Sequence, residues 1–146
     1  GAKMAVSCGC DILMGTCYYD SILRFCRENN IVYMPFVGEI IGRPSVLQGS
    51  VASMEKAAEI LNKKGVSGID LLGYRYEGDA QQLINKMVKK SNLPICVAGS
   101  IDSFDRLRFI KEVQPWAFTI GSAFFEHKFG DSFADQINAV CDFINE

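Results

Sequence analysis

Two short segments carry most of the chemistry legible in this chain. They are Leu93-Pro94-Ile95-Cys96-Val97-Ala98-Gly99-Ser100-Ile101 and Ala117-Phe118-Thr119-Ile120-Gly121-Ser122-Ala123. Each is an apolar run ending in Gly-Ser, and one amphipathic helix is expected between them. Glycine lets the backbone come close to a ligand, the next N–H groups point outward, and a helix N-terminus adds partial positive charge. Gly99, Ser100, Gly121 and Ser122 are therefore candidate phosphate ligands. The plainer alternative is a pair of tight turns between buried strands and helices.

A few further residues could act on such a ligand. Glu39 lies in a glycine-rich stretch, where a carboxylate could remove a proton from carbon next to a carbonyl; it could equally cap a turn or be solvated. Arg43, in the same stretch, could reach an anionic group. Arg75 stands between Tyr74 and Tyr76, a pattern suited to clamping phosphate or carboxylate, with a stacked surface arginine as the alternative. His127 is the sole histidine, and it follows the second Gly-Ser. Cys17 has no nearby histidine to activate it as a nucleophile. No cluster of His, Cys, Asp or Glu has metal-ligand spacing, and Cys8-Gly9-Cys10 is followed by no second pair. No metal and no cofactor are expected. Cys96 and Cys141 read as small core residues in a reducing cytosol, so a cytoplasmic location is expected.

The elements that must position these groups follow from periodicity. Gly1–Gly9 reads as the last turns of a helix closed by Gly9. Cys10–Gly15 is a strand, Tyr18–Asn29 a helix with Ile22, Leu23, Phe25 and Cys26 inward, and Ile31–Val37 a strand. Gly38–Gly49 reads as a long ordered loop, and such loops are usually functional. Ser50 or Ser53 caps the next helix, which turns Met54, Ala57, Ala58, Ile60 and Leu61 inward and ends at Lys63-Lys64-Gly65. Gly68–Gly73 is the third strand. Asp79 caps a helix with Leu83, Ile84, Met87 and Val88 inside. The Leu93–Ala98 strand, a helix capped by Asp102 or Ser103, the Ala117–Ile120 strand, a loop or helical turn over Phe124–Phe129, and a helix over Ser132–Ile144 complete the chain.

This strict alternation, with near-continuous apolar strands, predicts a single α/β domain with an all-parallel sheet covered by helices. The chain has 146 residues, of which 49% are hydrophobic, and a net charge of −2. That is enough for one sizeable core. There is no basic block for nucleic acid or an anionic membrane, and no apolar run long enough for a membrane span. Two architectures fit: the C-terminal five units of a (β/α)8 barrel, or a five-stranded flavodoxin-like doubly wound sheet. The helical start favours the barrel, because the end of a helix should precede the barrel's fourth strand. An incomplete barrel bares two strand edges, so an N-terminal half or a second copy is expected as partner.

The region from Pro94 to Phe125 resembles the last two strands of the ribulose-phosphate-binding (β/α)8 barrels. That superfamily includes sugar-phosphate isomerases, epimerases and lyases. Its pattern is a strand ending in Gly-Gly or Gly-Ser, a helix, and a strand ending in Val/Ile-Gly-Ser/Arg-Ala. The resemblance implies that Gly99, Ser100, Gly121 and Ser122 hold a substrate phosphate; Ala98 stands where many members carry a further glycine. In such a fold the reacting groups stand at the C-terminal ends of the strands. By that filter Asp11 and Asp70, at strand starts, read as structural. The lysines from Lys56 to Lys111 fall on helices, which disfavours Schiff-base chemistry. The expectation is an enzyme acting on a small phosphorylated sugar, with Glu39 and Arg75 as catalytic residues and Arg43, Tyr76 and His127 as further candidates. A non-catalytic ligand-binding or regulatory domain is the alternative.

Overall fold

A computed structural model of the protein describes residues 1–146. Its elements run α1 (Ala2–Ser7), β1 (Ile12–Leu13), α2 (Asp20–Glu28), β2 (Val32–Tyr33), β3 (Glu39–Ile41), β4 (Val46–Gln48), α3 (Val51–Lys64) and β5 (Ile69–Leu72). A single 3-10 turn, Gly73–Arg75, follows, and then α4 (Ala80–Lys90), β6 (Ile95–Ala98), α5 (Phe104–Val113), β7 (Ala117–Phe118), α6 (Ser122–Phe125) and α7 (Phe133–Asn145).

Strand order decides between the two architectures. β1 pairs in parallel with β2, β5 with β6, and β6 with β7. A parallel bridge from Phe36 to Asp70 joins the first pair to the other three. The five parallel strands therefore neighbour one another in chain order. A doubly wound sheet must reverse direction at a switch point; a sheet that never reverses is an arc of a barrel. The flavodoxin-like alternative is thereby corrected.

Side-chain parity separates the two faces of the arc. A Cβ added to Gly73 would lie 2.7 Å from Ile84 of α4 and 3.1 Å from Val97, whereas one added to Gly68 would strike Met34 at 2.4 Å. Ile69, Leu71 and Val97 thus face the helices, and all three are fully buried. Asp70, Leu72, Cys96 and Ala98 face the concave side, because alternate strand residues point to opposite faces. Ile12 and Val32 are 37% and 38% exposed although they stand in sheet strands. β1 and β7 pair on one side only. An apolar cleft lined by Ile110, Pro115, Trp116, Phe118 and Ile144 opens beside the free edge of β7. No helix is long and apolar enough to cross a membrane.

The helix ends follow local chemistry. Ser50, Asp79, Ser103 and Ser132 each accept a hydrogen bond from the amide three residues on, as N-caps do. Gly65 closes α3 in the left-handed region after Lys63 and Lys64. Four expectations are corrected. The Gly38–Gly49 stretch is an antiparallel hairpin, with Glu39 opposite Gln48 and Ile41 opposite Val46. Its fully buried Leu47 bridges to Tyr76, so core packing orders what glycines and a proline suggested was a loop. α2 begins at Asp20 rather than Tyr18, with Tyr19 still extended at its N-cap, and the Tyr18 ring stacks on Tyr33. Ile60 is 47% exposed, and Cys141 is exposed rather than part of the core; both lie at the margin of their helices' apolar faces.

Candidate functional site

The β6 and β7 exits lie on one rim. Cys96 pairs with Ala117 and Val97 with Phe118, and the Thr119 amide donates to the Val97 carbonyl. The chain leaves β6 at Gly99 and Ser100, and leaves β7 to reach Gly121 three residues after Phe118. Gly99 has φ +80° and Ser100 φ +55°, so both turn in the left-handed region, which glycine enters freely and serine only when held there. Arg106 supplies the hold. Its guanidinium donates to the Ser100 carbonyl and, at 2.9 Å, to Asp102 Oδ1, and it stacks 4.7 Å above the Tyr74 ring. With the carbonyl fixed, the N–H groups of Gly99 and Ser100 donate to no protein acceptor, and neither does that of Gly121.

Arg75 belongs to this rim. Its Cγ, Cδ and Nε would lie 3.0, 3.1 and 3.3 Å from a Cβ at Gly99. The aliphatic stem therefore rests on the glycine turn, where a side chain at Gly99 would crowd it. The half-buried Arg75 guanidinium makes no ion pair or hydrogen bond within the protein. Neither flanking tyrosine is free to stack on Arg75, so the stacked surface arginine is not what forms. Tyr74 is engaged by Arg106, and the Tyr76 hydroxyl donates to the Gly49 carbonyl at 2.8 Å. Tyr76 thus ties the base of the hairpin to the β5 exit, helped by a Gln48–Glu77 hydrogen bond.

The remaining predicted residues are not gathered here by any observed contact. Glu39 is exposed in the first hairpin strand, and Arg43 is exposed in the hairpin turn. His127 is exposed beyond α6 with φ +54°. Gly121 and Ser122 are exposed at the start of α6. No three His, Cys, Asp or Glu side chains converge so as to hold a metal.

Three further side chains, none of them assigned to the site from sequence, are held in place by the fold. The first is Arg106; its i,i+4 spacing from Asp102 was the available signal. The second is Gln136, fully buried on α7, which donates to the Phe124 carbonyl at 2.9 Å and accepts from the Phe129 amide at 3.2 Å. It anchors the segment after the Gly121 turn, and a glutamine on an apolar helix face was the signal. The third is Asp70. It is 4% exposed, its Oδ2 accepts from the Gly15 amide at 2.9 Å, and its Oδ1 has no partner. Burial pushes its carboxyl up to about 6, against the lowering effect of the Gly15 hydrogen bond. Beside it, burial and the Asp70 charge push the Cys96 thiol up to about 11. Asp70 sits near its strand's start, yet it is level with Gly15 and Phe36, which lie past the ends of β1 and β2. Strand stagger places it at their exits, which position in its own strand did not reveal.

No protein-family model matches the sequence, and a search of curated proteins finds no match. Solved structures do match in fold. A native KDPGal structure superposes with a TM-score of 0.63 at 12% identity, over 99% of this chain and 61% of that one. Tryptophan synthase subunit alpha from Campylobacter jejuni superposes at 0.62 and 17% identity, over 95% of this chain and 56% of that one. FabK from Thermotoga maritima superposes at 0.60 and 16% identity, over 84% and 36%. These neighbours are (β/α) barrels, and this chain has the fold of part of one. It spans less than two thirds of their length.

Proposed function

We propose that the protein works as part of a barrel-type enzyme on a small phosphorylated sugar or related phosphate ester. The phosphate is held at the rim by the amides of Gly99, Ser100 and Gly121 and by Ser122. The observation that carries this reading is a left-handed turn at Gly99 and Ser100 whose two N–H groups donate to no protein acceptor, with the stem of the unpaired Arg75 resting on it. Buried or half-buried donors normally find partners, and an arginine held by its stem over a glycine offers a fork matched to phosphate oxygens. In this reading Arg75 is a ligand of the phosphate itself. Glu39 and Arg43 are the acid/base and anion-binding residues that the hairpin could bring in from the side, with Tyr76 fixing the hairpin base; His127 is the more distant candidate. The bare edges of β1 and β7 are closed by further βα units, from the same polypeptide or from a second copy.

A regulatory reading has one observation in its favour. Among the fold neighbours is the glycerol uptake operon antiterminator regulatory protein from Listeria monocytogenes, with TM-score 0.56 at 14% identity. A regulatory domain would use the same phosphate turns without turnover.

Isothermal titration with inorganic phosphate and with ribulose 5-phosphate tests the grip. Ser122→Asp places a carboxylate on the exposed turn and should weaken binding at least tenfold, on the order of 1.4 kcal/mol for like-charge repulsion. Equal affinities for the variant and the parent protein would remove the proposal.

A further inference from the structure

A cavity between α3 and α4 takes no part in the phosphate reading. It measures about 170 Å³, below the roughly 300 Å³ at which drug-sized ligand sites begin, so its ligand must be small. Its walls are sorted by charge. Glu55 and Glu59, one turn apart on α3, supply carboxylates, and Lys86 and Lys90, one turn apart on α4, supply ammonium groups. Each helix also turns one buried apolar residue to the cavity, Ala58 from α3 and Met87 from α4. Like charges one turn apart destabilise a lone helix, so each wall needs the opposite charge facing it. Only one pair forms across the cavity. Lys90 Nζ stands 3.4 Å from Glu55 Oε1. Glu59 and Lys86 make no ion pair with each other or with any other side chain, so their charged atoms stand more than 4.0 Å apart. One unpaired carboxylate and one unpaired ammonium therefore border the same small space from opposite sides.

We propose that this cavity binds a free α-amino acid with a neutral side chain, its ammonium against Glu59 and its carboxylate against Lys86. Walls of opposite sign disfavour a simple anion or a simple cation, because each would meet a like charge as well as a partner. A zwitterion satisfies both walls at once. In an α-amino acid the two charges flank a single carbon, so one small molecule bridges the opening that Glu59 and Lys86 leave. Its side chain then rests on Ala58 and Met87, which favour an apolar group over a charged one. The Glu55–Lys90 pair stays as it is and ties the two walls together. This site is separate from the rim. Ser91 also lines the cavity, accepts from the Leu93 amide at 3.0 Å and precedes β6, whereas Gly99 follows β6. The two sites lie at opposite ends of that strand, and the inference stands without the phosphate reading.

The test follows the backbone amides of 15N-labelled protein by NMR. L-alanine and L-leucine are the probes. Propionate and ethylamine, which each carry one of alanine's two charges, are the controls. The amino acids should shift the amides of residues 55–62 and 86–92 saturably, with a Kd of about 1 mM, and leave those of Gly99 and Gly121 unmoved. Propionate and ethylamine should bind there at least about tenfold more weakly. Glu59→Gln and Lys86→Gln each remove one wall's free charge and should each weaken alanine binding about fivefold; urea melts check that both variants are folded. No saturable shift with either amino acid overturns the inference. So does equal binding by propionate or ethylamine, or alanine affinity unchanged in both folded variants. Each of these outcomes leaves the phosphate reading where it was, since none of them touches the rim.

Discussion

The Asp70 carboxyl makes a prediction about stability that needs no ligand. Its ordinary value is 3.8, and burial raises it to about 6 in the folded chain. A raised carboxyl means that the folded state binds more protons than the unfolded state between those two values. Stability must then fall as pH rises through that window, the opposite of the usual salt-bridged aspartate. The group's contribution is full only below about pH 3, declines most steeply between about pH 4 and pH 6, and is level above about pH 7. At about 1.4 kcal/mol per tenfold change in proton affinity, the full span is about 3 kcal/mol, of which roughly 2.5 develops between pH 4 and pH 7.5. Asp70→Asn removes the titration. The asparagine carbonyl can still accept from Gly15, and its amide occupies the unpartnered position at every pH, so that cost cancels in a comparison across pH. Urea unfolding of both proteins at several pH values measures the difference. The variant should gain on the parent by about 2 to 3 kcal/mol from pH 4 to pH 7.5. A difference that stays constant, or that favours the parent at high pH, would show that Asp70 is not held in a desolvated site on the concave face.

Two further predictions use other parts of the structure. Cys8, Cys10, Cys17 and Cys141 are exposed and Cys26 and Cys96 are buried, with both buried thiols pushed up by burial. A thiol reagent at neutral pH should label four cysteines quickly and these two only on unfolding; fast labelling of Cys96 would contradict its placement. Gly99→Ala forces a side chain into the left-handed region and against the Arg75 stem. It should lower unfolding stability by about 1–2 kcal/mol and weaken phosphate binding more than tenfold as Arg75 is displaced, checked by urea melts and calorimetry; unchanged binding would detach Arg75 from the site.

Much of this molecule is a consequence of local sequence. Ser50, Asp79, Ser103 and Ser132 start their helices because a side-chain oxygen can satisfy a free amide. Gly65 ends one because it alone turns left-handed cheaply. The apolar runs Ile69–Leu72 and Ile95–Ala98 are buried on both faces, as continuous hydrophobicity requires. The turn at Gly99, in the left-handed region directly after an apolar run, was also visible. What local sequence could not determine is which residues meet across strands. The choice of a barrel arc over a doubly wound sheet rests on the bridge between Phe36 and Asp70, a contact between residues 34 positions apart that no periodicity encodes. The hairpin over Glu39–Gln48 depends on Leu47 finding the core beside Tyr76. The Arg75 stem rests on Gly99, and Tyr74 meets Arg106, contacts that the adjacency of Tyr74, Arg75 and Tyr76 in the chain does not encode. Asp70 looked like a strand-start residue until stagger between strands set it level with their exits. Strand propensity and capping act over a few residues and are written locally; register, stagger and cross-strand company are set by the packing of the whole, and only the folded chain reveals them.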